Sequence, residues 1–184
     1  MGKDYQLANI LQYCSMNAVQ NSNSLFAEFP PQARVWIYQA SRPLTEKETS
    51  LIREKAKAFA LNWNAHKQPL TADAEVAHNL FLVLIADEAK MAASGCSIDS
   101  SVRLVKELEQ EFQLVFFDRL NVAYQNDGTI SLANYQTLVE DIKSGKLPRN
   151  ISIFNNVIQT KGELETNWLI PVEKSWLSKL IVNG

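Results

Sequence analysis

Leu80 to Ile85, LFLVLI, is an unbroken apolar run of strand length. Such a run is stable in water only when both of its faces are covered. Whatever this chain folds into must therefore hold a strand near the middle of a sheet, with packed layers above and below it. The residues that follow sharpen the picture. A stretch of small residues ending Ser94-Gly95-Cys96-Ser97 leads into an amphipathic segment whose apolar stripe is Val102, Val105, Leu108 and Phe112. Strand, loop and helix in that order leave a polar helix start beside the central strand, where unpaired N–H groups collect.

The same patterns repeat on either side. Arg34 to Ala40, RVWIYQA, is β-branched and aromatic; Val35 and Ile37 fall on one face, Trp36 and Tyr38 on the other. Thr45-Glu46-Lys47-Glu48 is a capping box that opens a helix running to about Trp63, with Ile52, Ala56, Phe59 and Trp63 buried. Thr71 to Asn79 reads as an edge strand, and His78-Asn79 as the turn that folds it back onto the strand from Leu80. The helix after the small-residue loop starts at Ser97 or Asp99, both good caps. A further strand lies within Phe117 to Gln125, closed by Asn126-Asp127-Gly128.

The order β-α-β-β-α-β is that of a ferredoxin-like α+β core, an antiparallel sheet with both helices on one face. The alternative is another mixed α/β single-domain sandwich. The ferredoxin-like arrangement leaves Trp36 and Tyr38 on a bare face. The C-terminal α/β extension supplies a cover: a helix capped by Ser131 and stopped by Gly145, a strand from Ile151 to Ile158, and a short apolar helix from Trp176 to Ile181. We divide the chain into an N-terminal appendage at 1–28 and a single domain at 29–184, with core 29–126 and extension 127–184. Within the appendage, Leu7, Ile10, Leu11 and Cys14 have helical spacing, and the polar run Gln20 to Ser24 reads as a linker.

Composition excludes several functions. Lys and Arg number 18 against 20 Asp and Glu, a net charge of −2, which gives no field for nucleic acid or an anionic membrane. Two cysteines and two histidines, without CxxC or HxxxH spacing, predict neither a metal site nor a disulfide framework, and no cofactor is indicated. No apolar run is long enough to span a bilayer and no secretory signal is visible, so the expected location is cytoplasmic.

Ala33 to Gln39, Ser94 to Ser101 and Thr160-Lys161-Gly162-Glu163-Leu164-Glu165 together resemble a family of small uncharacterised bacterial proteins. Its members sometimes carry the label ABC transporter ATPase. The resemblance covers roughly residues 28–182 and implies no catalytic residues. The label fails on chemistry: none of the chain's six glycines begins the GxxxxGK[ST] loop whose amides and lysine cradle phosphates.

The residues best suited to a site gather at one predicted edge. A helix start favours an anion or a thiolate, which nominates Cys96, Ser97, Asp99, Ser100 and Ser101. In the expected fold, Arg34 and the His66-Lys67 segment reach the same edge. Two readings follow. In the first, the protein is a non-catalytic domain that binds a small anionic ligand through Arg34, Ser97, Asp99, Ser100 and Ser101, or docks a protein partner. In the second, Cys96 is a nucleophile with His66 as its base. The aromatics Trp36 and Tyr38 read as packing rather than as a platform for RNA bases.

Overall fold

A computed structural model describes residues 25–89 and 91–182. The helix expected over Leu7 to Cys14 and the linker at 20–24 lie outside the described residues. Chain order is β1 (Arg34–Gln39), α1 (Glu46–Leu61), β2 (Asn64–Ala65), β3 (Gln68–Pro69), β4 (Thr71–Ala77), β5 (Phe81–Asp87) and α2 (Gly95–Phe112). Then come β6 (Asn121–Asn126), β7 (Thr129–Asn134), α3 (Tyr135–Lys143), β8 (Ser152–Phe154), α4 (Lys161–Thr166) and β9 (Leu169–Pro171). A 3-10 turn (Val172–Lys174) and α5 (Ser178–Val182) finish the described chain. The class is α+β.

The apolar run forms β5, which lies between β1 and β4 in a three-stranded antiparallel sheet. Every residue from Leu80 to Ala86 is buried, as a two-sided central strand requires. β4 is the edge strand and joins β5 through His78, Asn79 and Leu80, with Ala77 paired to Phe81 and with His78 (φ 53°) and Asn79 (φ 50°) both in the left-handed region that such tight turns use. α1 begins at the expected capping box. Thr45 accepts from the Glu48 N–H, and the Glu48 carboxylate accepts from the Thr45 N–H and from Arg42. The Arg42 guanidinium is the main reason the Glu48 carboxyl is held down to about 2.

The structure departs from the expected topology at the fourth strand. β1, β5 and β4 stand in ferredoxin-like order, but β6 does not complete that sheet. It pairs with β7 and β8 in a separate four-stranded sheet of order β7-β6-β8-β9. Asp127 and Gly128, both at positive φ, fold β6 back on β7 and so occupy one of its edges. The outer edge of β1 is taken instead by residues 159–161. The Val35 N–H donates to Gln159 O (2.9 Å), and the Lys161 N–H donates to Ala33 O (2.8 Å).

The hairpin also overturns the expected cap at Ser131. That residue lies in β7, and Asn134 caps α3 by accepting from the Gln136 N–H. Gly145 ends the helix at φ 77°, as expected. The strand expected over Ile151 to Ile158 is reduced to Ser152–Phe154.

The faces of the first sheet are the reverse of those expected. Trp36 and Tyr38 point towards the helices: Trp36 packs edge-on against Trp63 beyond the end of α1, and Tyr38 lies beside Ser101 of α2 and edge-on to Phe117 just after it. Bulky rings fill the wedge between two helices and a twisted sheet. The second sheet covers the opposite face, where Phe81 meets Phe154 (4.7 Å between ring centroids) and Trp168 (5.1 Å). One side chain links the strands of the two sheets. Gln39 Nε2 donates to Asn121 O (3.0 Å), while Gln39 Oε1 accepts from the Ala123 N–H (3.3 Å) and Asn156 Nδ2 (3.1 Å). A second, smaller core of Leu138, Ile142, Ile151, Ile153, Leu177 and Ile181 lies under α3 and α5.

Candidate functional site: a cleft at the start of helix α2

α2 begins earlier than either expected cap. Ser94, extended at φ −87° and ψ 166°, is the N-cap and accepts from the Ser97 N–H. Starting there puts Ser97, Ser101, Val105 and Leu108 on one buried stripe. Cys96 and Asp99 then fall on the exposed side. Gly95 and Cys96 occupy the first turn, whose N–H groups have no acceptor inside the helix.

The end of α1 is brought to this point by an aromatic anchor. Trp63, 2% exposed, donates its Nε1 proton to Ser97 O at 2.8 Å. Phe59 lies beside it at 5.2 Å between ring centroids. Immediately after Trp63 the chain makes a tight hairpin, β2 to β3, turning at His66 and Lys67 with φ of 51° and 64°. The sequence carries no Asn-Gly signal for this turn. The pairing of Asn64 with Pro69 and the Leu70 N–H bond to Trp63 O (2.9 Å) hold it instead.

These elements enclose a cleft of about 410 Å³. Phe59 and Trp63 line it from α1 and the residues after it, His66 and Lys67 from the hairpin, and Cys96 and Ser100 from α2. Asn62, Asn64 and Ser94 complete it. Sequence reasoning nominated none of these three, and it read Phe59 and Trp63 only as buried stripe; the serine three residues before Ser97 was the available signal for Ser94. The aromatic residues give one wall an apolar surface, and the hairpin contributes a cation and an imidazole. The helix start contributes first-turn amides and the positive end of the helix dipole.

The site residues nominated from sequence separate into two groups. His66, Lys67, Cys96 and Ser100 line one cleft. Arg34 does not: it lies over the Trp36 ring at 4.9 Å and pairs with Glu88 at 3.6 Å, one residue layer behind Trp63. Ser97 and Ser101 are buried, and their hydroxyls donate to Ser94 O and Ile98 O, both at 2.7 Å. Asp99 is exposed and is not a lining residue. Ser100 donates to Ser97 O at 2.6 Å, which leaves its oxygen able to accept but not to donate.

Among the described residues no group of three or more His, Cys, Asp or Glu is placed to hold a metal ion. Among them, too, no helix is long and apolar enough to cross a membrane. Set against known protein families, curated proteins and solved structures, the chain matches none.

Proposed function

We propose that this protein is a non-catalytic binding domain whose ligand is a small anion seated in the cleft at the start of α2. One observation carries the reading: the His66-Lys67 hairpin turn and the first turn of α2 line the same cleft, so a side-chain cation and free backbone amides act on one volume. Helix dipole, amides and ammonium all favour negative charge there, and the apolar wall at Trp63 raises the strength of each by excluding water. Arg34 acts from behind, by stacking on Trp36, rather than as a ligand contact. The near-neutral charge balance supports a protein that takes no nucleic acid, and we place it in the cytoplasm. The resemblance to the small bacterial family is compatible with binding and supplies no activity.

Titrating inorganic phosphate or sulfate while following iodoacetamide alkylation of Cys96, resolved from Cys14 by peptide mass, tests the proposal. Bound anion should slow alkylation and raise the melting temperature, and Lys67→Gln should weaken both effects together. An alkylation rate and a melting temperature that ignore either anion up to tens of millimolar would sink it.

Cys96 is exposed and shares the cleft with His66, which favours a second reading in which the thiol is a nucleophile and the imidazole its base. The Cys96→Ser variant separates the two. Anion binding survives it in the first reading, whereas the second requires a pH-dependent alkylation rate that falls sharply in His66→Gln.

A further inference from the structure

A groove of about 570 Å³ opens beside the end of β1, between that strand, the segment that follows α2 and the chain after β8. Its surroundings are unlike those of an ordinary surface crevice. Phe117 stands edge-on to Tyr38 at 5.8 Å and is 43% exposed, Trp176 is 54% exposed, and Val157 is 81% exposed. Water-facing apolar groups of this size, gathered around one groove, mark a surface that another molecule covers.

The backbone of β1 states what kind of molecule that is. Residues 33 and 35 turn their peptide groups away from β5 and bond the segment at 159–161. By the alternation of an antiparallel ladder, Ile37 and Gln39 turn theirs the same way. The covering segment has diverged by then, and residues 155–157 form the opposite wall of the groove. Among the described residues the N–H and C=O of Ile37 and of Gln39 have no outward partner. The edge of β1 is thus half paired by the chain itself and half open, and the open half faces the groove.

Charge adds a third constraint. Asp118 is engaged locally, accepting from the Leu120 N–H (2.8 Å) and from Asn121 Nδ2 (2.5 Å). Arg119, next to it on the rim, makes no ion pair or side-chain hydrogen bond among the described residues.

We propose that this groove binds a short extended peptide as an added strand on β1, with a carboxylate of the peptide meeting Arg119. The N–H and C=O of Ile37 and Gln39 pair with the peptide backbone. Its apolar side chains on one face pack between Phe117, Val157 and Trp176, and the charge sets its direction. This site is separate from the anion cleft and does not depend on it.

The test uses the full chain and a synthetic pentapeptide, acetyl-Thr-Val-Thr-Val-Phe with a free C-terminal carboxylate, followed by Trp emission and by anisotropy of a dye-labelled copy. Two altered peptides accompany it: one N-methylated at alternate residues, which removes the strand pairing, and one amidated at its C-terminus. Saturable binding should weaken at least about tenfold on N-methylation, since two backbone hydrogen bonds are lost. The amidated peptide should bind more weakly to the native chain, and Arg119→Gln should abolish that difference while leaving the melting temperature unchanged. Phosphate, which occupies the other cleft, should not compete. No binding at millimolar peptide overturns the proposal. Equal binding of the N-methylated peptide overturns it as well, because the groove would then be taking apolar groups without strand pairing.

Discussion

Replacing Gln39 by Met keeps the length and nearly the volume of a side chain that is 8% exposed, and removes only its carboxamide. That carboxamide imitates a strand residue. It donates to Asn121 O and accepts from the Ala123 N–H, two groups on the same edge of β6 beyond Tyr124, where the pairing with β8 ends. After substitution the Asn121 carbonyl can turn to water, because that residue is half-buried. The Ala123 N–H cannot, because the residue is 0% exposed. A buried orphan donor costs roughly 1–3 kcal/mol, and the 3.3 Å length of the lost bond argues against the top of that range. Asn156 Nδ2 loses its acceptor too, but its Oδ1 still accepts from Trp168 Nε1 (3.1 Å), so its share is smaller, about 0.5–1 kcal/mol. The sum is about 2–3 kcal/mol, or a melting temperature lower by roughly 5–10 °C for a chain of this size. Urea unfolding should show the loss in the midpoint with an unchanged slope, and amide exchange at Ala123 should accelerate. A loss below about 0.5 kcal/mol, or unchanged protection of Ala123, would refute the claim that this side chain ties the sheets together.

Two further outcomes follow from the same structure. His78 sits among Phe81, Phe154 and Trp168, and burial pushes its imidazole below the ordinary value of 6.5. The unfolded chain therefore takes up the proton first as pH falls, so stability should drop from about neutral pH down through the lowered value and then level off. His78→Asn keeps a residue suited to the positive-φ turn and should flatten that slope in melts between pH 7.5 and 5; an unaltered slope would assign it to other groups. Trp63→Phe removes the donor to Ser97 O while keeping an aromatic ring, and should cost about 1–2 kcal/mol. It should also speed Cys96 alkylation, because the start of α2 is no longer held to the end of α1; an unchanged rate would show that the bond does not shape the cleft.

The elements that local chemistry dictates were legible in the sequence. The buried strand from Leu80, the Thr45–Glu48 capping box, the His78-Asn79 turn and the stop at Gly145 each depend on residues within a few positions of one another. Their propensities act before any tertiary contact forms. The gathering of His66, Lys67, Cys96 and Ser100 was also foreseen, because strand order alone brings the end of α1 and the start of α2 to one edge of the sheet. What tertiary structure decided was which partner each edge and face received. Nothing near Phe117 to Gln125 records that β1 is already paired with residues 159–161, more than a hundred positions away in the chain, or that β6 must therefore find another sheet. Trp36 and Tyr38 alternate with Val35 and Ile37 whichever way the strand is turned, since period-two patterning separates two faces without saying which layer covers each. Arg34 was assigned to the anion by its place on the edge, but the ring of Trp36 and the carboxylate of Glu88 claim it first. The first is a same-face neighbour two positions along β1, and the second exists only once β1 and the chain after β5 have been packed side by side.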